Sequence, residues 1–165
     1  MSLPVLEQDG RATLAVAEAQ SALAAGDTPH ARKMYGAAAR LLANKIATPR
    51  QSDKHLFRFL AASQYYHGGL YRKALHLCRR VEQRLLPDEV RHLFPKFFHD
   101  VKSRAAPSYE KRVREELLNL LTRQENSRIL EKLQEHPYVL QPGILALLRA
   151  HACENLGNFP AAAIF

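Results

Sequence analysis

Three times along this chain a pair of mostly small residues leads into a glycine, and an alanine follows five positions later. The copies are Ala19-x2-Ala22-x3-Gly26-x4-Ala31, Ala62-x2-Tyr65-x3-Gly69-x4-Ala74 and Ala150-x2-Cys153-x3-Gly157-x4-Ala162. A glycine between two apolar-periodic stretches marks a corner, and small residues on either side of it mark a close helix crossing. Helix pairs of this kind leave one apolar flank uncovered, so successive copies have to stack. The recurrence restricts the chain to stacked helix pairs and points toward binding along a surface, without naming what is bound.

The stretches between the corners are helical in period. From Asp9 to Ala25 apolar residues recur every third or fourth position, as in Leu14, Ala17, Ala22 and Ala25. Thr28-Pro29 restarts a helix with a capping hydroxyl and a proline where no amide donor is needed, and the pattern runs to about Ile46 before Thr48-Pro49 stops it. Ser52 or Asp53 caps the next helix. Its apolar face carries Leu56, Phe59, Leu60 and Ser63, His67-Gly68-Gly69 makes the turn, and a second helix is predicted from Tyr71 to Leu85.

After Pro87 the syntax changes. Asp88-Glu89 opens a helix that Pro95 interrupts, so a kinked or split element is expected there. Pro107-Ser108 opens a long helix with Val113, Leu117, Leu120 and Leu121 on one side, and Asn126-Ser127 opens a shorter one. Residues 137–142 form a turn, and a last pair starts near Gly143, with Asn158 and Pro160 opening its second helix. No stretch alternates with period two long enough to be a strand. One domain is expected over 1–165, with repeat-like pairs at about 10–46, 53–86 and 143–165 and a divergent helical insert at about 88–140. The brevity of the final helix leads to the expectation that the parent chain continues beyond Phe165.

Composition bears on setting and partner. With 165 residues and 47% hydrophobic content the chain can bury a core, and its longest apolar runs fall far short of the ~20 residues that span a bilayer. Met1-Ser2-Leu3-Pro4 has no secretory pattern, so an intracellular, cytoplasmic setting is expected, with the nucleus left open. Cys78 and Cys153 in such a setting are expected as reduced, buried thiols. The net charge of +8 is regional: residues 31–114 carry nineteen bases against six acids, whereas the flanks are slightly acidic. Such a field favours acidic partners or phosphates.

The three copies resemble tetratricopeptide repeats. Gly26, Ala31, Tyr35 and Ala38 keep that family's spacing in the first copy; Gly69, Tyr71, Ala74 and Val81 do in the second; Gly157, Phe159 and Ala162 do in the third. The departures are in length, because the family repeat is about 34 residues and these glycines lie 43 and 88 positions apart. The resemblance implies an all-α fold of antiparallel helix pairs stacked as a right-handed superhelix, an α-solenoid, with first helices lining a concave groove. It implies a non-catalytic scaffold that binds a partner peptide or domain. By register, the groove residues would be Val16, Gln20 and Leu23, then Leu56, Phe59, Ser63 and Tyr66, then Leu147, His151 and Glu154. Family members that grip a C-terminal carboxylate do so with Lys, Asn and Arg; Val16, Gln20 and Phe59 stand here instead, so that activity is not carried over. The rival use of these faces is as core beneath the 88–140 insert.

No chemistry-bearing constellation competes with this reading. His76-x-Cys78 and His151-x-Cys153 are two apart and diverge on a helix, so no metal or cofactor is expected. His92, Lys96 and His99 share helical spacing across an interrupting proline and lack a carboxylate pair. There is no nucleophile elbow and no phosphate-cradling loop, and an enzyme is not expected. The strongest alternative is nucleic-acid or acidic-ligand binding through 31–114, with Arg72, Lys73, Arg79, Arg80 and Arg84 as a basic patch on one helix; the bland reading is a solvated face. Self-association through the C-terminal repeat is a further expectation.

Overall fold

The computed structural model describes residues 10–47 and 51–162. The Thr48-Pro49 stop, the capping side chain of Ser52, the Phe159 and Pro160 side chains and the end at Phe165 lie outside what is described. Among the described residues there is no strand, and no helix is long and apolar enough to cross a membrane. The chain groups into two compact units, one within residues 1–25 and 29–106 and the other within 26–28 and 107–165.

In the first unit, α1 (Gly10–Ala24) buries a stripe made wholly of alanine, Ala12, Ala15, Ala19 and Ala22. The next helix, α2 (Thr28–Asn44), buries Ala31, Tyr35, Ala38, Ala39 and Leu42. His30 Nε2 lies 2.8 Å from Glu18 Oε1, and Ala12 joins Leu42 in one buried cluster, as an antiparallel pair requires. A 3-10 turn, Lys45–Ala47, follows, and then α3 (Gln51–His67) supplies Leu56, Phe59, Leu60, Ala61 and Ala62 to the same cluster. α3 packs along α4 (Tyr71–Cys78), which buries Ala74 and Cys78.

The predicted helix over Tyr71–Leu85 stops at Cys78, and the cause is tertiary. His55 Nδ1 accepts the Glu82 N–H at 2.9 Å, and Arg58 Nη1 donates to the Arg80 carbonyl at 3.0 Å. Two α3 side chains thus satisfy backbone groups that a continued helix would have used. His55 is buried, and burial together with neighbouring Arg58 lowers its pKa, which keeps the ring neutral and able to accept. Glu82 is extended, a 3-10 turn spans Gln83–Leu85, and Leu86 drops into the core.

The split expected around Pro95 is present. α5 (Asp88–Arg91) carries both acids in its first turn, and α6 (Phe94–Arg104) takes Pro95 into its own first turn, where no intrahelical amide is lost. α6 packs on α4 and sends Phe94 and Phe97 to Phe59, at centroid distances of 6.2 and 5.4 Å.

The second unit contains α7 (Tyr109–Thr122), α8 (Asn126–Glu135), α9 (Pro142–Asn155) and α10 (Phe159–Ala162), each packed on its chain neighbour. α7 buries Tyr109, Val113, Leu117 and Leu120, and α8 answers with Ile129 and Leu133. The two helices run antiparallel, because the Tyr109 hydroxyl at the start of α7 meets His136 Nδ1 just past the end of α8 at 2.7 Å. Lys132 on α8 reaches Glu116 on α7 at 3.0 Å.

The corners share one backbone device. Gly26, Gly69 and Gly157 have φ of 79°, 68° and 73°, in the left-handed region that favours glycine. At Gly69 the Leu70 N–H bonds to the Tyr65 carbonyl at 2.8 Å and the Gly69 N–H to Tyr66 at 2.9 Å; Asn158 and Gly157 bond to Cys153 and Glu154 in the same way. This double bond pattern closes a helix C-terminus. A fourth corner lies inside the divergent insert, between α7 and α8. Gln124 has φ of 55°, its N–H bonds to Leu121, and the Glu125 N–H bonds to Leu120, both at 3.0 Å. Around it Leu117, Leu120 and Ile129 hold the positions that Ala19, Ala22 and Ala31 hold around Gly26, and all six are buried. Gln124 and Gly157 are 33 positions apart.

Candidate functional site

The expected groove residues divide by fate. On α1, Val16 and Leu23 are half-buried and Gln20 is exposed. On α3, Leu56 and Phe59 are core, Ser63 and Tyr66 are half-buried, and α6 covers the face, with Tyr66 lying 5.4 Å from Phe97 between centroids. That part of the expected groove is filled by the protein's own aromatic side chains. On α9 the outcome is opposite: Leu147 is 69% exposed, Ile144 47%, and His151 and Glu154 are exposed as well. Ile144, Leu147 and His151 recur at helical spacing, so they form one open strip along α9.

Tyr66 is held by a polar clamp. Its hydroxyl donates to Asp100, whose other oxygen lies 3.4 Å from Arg104 Nε, and the Arg104 guanidinium stands 5.0 Å over the Tyr66 ring and 5.8 Å over that of Tyr71. Burial, and then the bond to Asp100, push the Tyr66 hydroxyl pKa well up, so the phenol stays a donor. The cluster fastens α3 to α6. Cys78 and Cys153 are both free and buried, and burial pushes the Cys78 thiol up to about 12, far from a reactive thiolate. Among the described residues no group of three or more His, Cys, Asp or Glu is placed to hold a metal ion.

The basic patch does not lie on one helix. Arg72 and Lys73 are in the first turn of α4, Arg79 and Arg80 in the turn after it, and Arg84 in the 3-10 segment, where it pairs with Glu82 at 3.0 Å. The early end of α4 removes the common face that a helix to Leu85 would have provided.

Packing creates another grouping. A surface cleft of about 330 Å³ is lined by Ala43 of α2, Tyr65 of α3, and Arg72, Lys73, His76 and Leu77 of α4. On α4 these four residues are two adjacent rows of one helix face, beside the row that buries Ala74 and Cys78. Lys73 Nζ lies 5.7 Å from the Tyr65 ring centroid. Ala43, Tyr65, His76 and Leu77 were not among the residues expected to form a site. The available signal was an aromatic, Tyr65, at a corner position where the other copies have Ala22 and Cys153.

No protein-family profile, no curated protein and no solved structure matches this chain.

Proposed function

We propose that this chain is a non-catalytic, tetratricopeptide-like scaffold that binds a partner protein through the open face of α9. The observation that carries the reading is the strip Ile144, Leu147 and His151, exposed on a first helix of a pair whose corner is glycine-turned. Two large aliphatic side chains a turn apart on a solvent-facing helix are the usual anchors for a partner's apolar groove or helix. The corners at Gly26, Gly69, Gln124 and Gly157 support a repeat origin, and the 33-residue interval between the last two is close to the family's own period of about 34. Glu154 at the end of the strip would fix the partner's orientation more than its affinity.

The test is a comparison of Leu147→Asp with the parent. Leu147 is exposed, so the substitution should leave the melting temperature unchanged. Partners recovered with the parent from its source cells would then be purified and titrated one by one. Loss of a fully buried leucine contact, about 1.5–3 kcal/mol, predicts a dissociation constant raised by about tenfold to a hundredfold. An unchanged constant for every partner refutes the α9 site. Light scattering of the two proteins reads self-association through the same face.

The second reading is nucleic-acid or acidic-ligand binding by residues 31–114, favoured by their concentration of bases. It predicts affinity that falls steeply with salt and weakens on charge reversal at Arg79 and Arg80.

A further inference from the structure

We propose that the cleft between α2, α3 and α4 is a separate binding site for an acidic peptide segment that presents one apolar or aromatic side chain. The proposal does not depend on the α9 face. The floor, Ala43, Tyr65 and Leu77, is half-buried and mainly carbon, whereas the rim, Arg72, Lys73 and His76, is exposed. None of the three rim side chains, of which Arg72 and Lys73 are the cations, forms an ion pair with a described carboxylate. By contrast, Arg84, Arg91 and Arg104 are each paired with a carboxylate close by in sequence. An apolar floor ringed by unneutralised cations matches a ligand with the reverse pattern, an apolar centre flanked by anions.

Size narrows the ligand. About 330 Å³ is at the small end of ligand cavities, about 300–1,000 Å³, so the cleft admits a side chain or two and their backbone, not a helix or a folded domain. Chemistry narrows it further. A nucleobase entering the floor would leave its ring nitrogens and exocyclic groups facing Ala43 and Leu77, which offer no hydrogen-bond partner. A leucine or phenylalanine side chain leaves nothing unsatisfied, and the Tyr65 ring provides an edge or face for it. Flanking Glu or Asp carboxylates then reach Arg72, Lys73 and His76.

Fluorescence anisotropy with three labelled probes tests this: a short Glu/Asp-rich peptide with a central Phe, the same peptide with Ser in place of Phe, and an oligothymidylate of equal charge. The Phe peptide is expected to bind at least about tenfold more tightly than the Ser peptide, and more tightly than the oligonucleotide at about 150 mM salt. Arg72→Gln with Lys73→Gln should weaken the Phe peptide about tenfold or more, while Lys96→Gln with Lys102→Gln, an equal change of charge on α6, should not. Equal binding of the Phe and Ser peptides, or equal loss with both double variants, would reduce the effect to regional charge and overturn the site. Tighter binding of the oligonucleotide would overturn it in favour of nucleic acid, and absence of peptide binding would overturn it outright. The α9 variant Leu147→Asp should leave peptide binding unchanged, so this proposal and the α9 proposal fail separately.

Discussion

Gly68→Ala is expected to be among the most damaging single-methyl changes in the protein, costing about 2–3 kcal/mol and about 4–12 °C in melting temperature. A Cβ at Gly68 would stand 2.9 Å from the Tyr35 Cβ, with the Arg32 and Gln64 carbonyls at 3.5 Å. The contact is with a Cβ, so no rotamer change of Tyr35 relieves it, and Tyr35 is itself buried. Relief requires the N-terminal half of α2 to move away from the end of α3. Neighbouring Gly69 is needed for another reason, its positive φ. Gly143→Ala is the control: nothing lies within 4 Å of the added carbon, and the site is helical, so stability should hold or rise slightly. Thermal and urea unfolding of the two variants check this; a Gly68→Ala protein as stable as the parent would mean that the close approach is not made.

Ile129→Ala is expected to cost about 2–5 kcal/mol. Ile129 is fully buried and stands five residues after Gln124, where Ala31 and Ala74 stand after Gly26 and Gly69. At the Gly26 corner an alanine suffices because the facing residues, Ala19 and Ala22, are small; here Leu117 and Leu120 hold those positions, and α8 rides on larger side chains. Truncation leaves a cavity between α7 and α8 that relaxation of the two helices fills only in part. Chemical unfolding followed by circular dichroism measures it. A cost below about 1 kcal/mol would place Ile129 outside the core.

What was legible in the sequence follows from how local each cause is. Gly26, Gly69 and Gly157 were readable as corners because the left-handed conformation selects glycine from one residue's own backbone. The Gln124 corner was hidden: a non-glycine there is uncommon, and Leu117, Leu120 and Ile129 conceal the small-residue pattern. The stop of α4 at Cys78 was hidden too, since it depends on His55 and Arg58, residues 27 and 22 positions away from the backbone they bond. Phe59 and Tyr66 could be recognised as an apolar face, but whether α6 or a partner covers that face is a matter of tertiary packing. The basic residues were visible as composition. Their grouping around Tyr65 and Leu77 was not, because it needs three helices in place.

The fold rests on paired helices joined at left-handed corners, and Gln124→Gly tests this most directly, because the sign of the effect decides. At a left-handed position a non-glycine residue carries a penalty of about 1–2 kcal/mol, only partly offset by the about 0.5–1 kcal/mol that glycine loses in chain entropy. Urea unfolding should therefore show Gln124→Gly to be more stable than the parent by about 0.5–1 kcal/mol. Destabilisation by about the same amount, the result for a glycine placed within a continuous helix, would contradict the corner between α7 and α8.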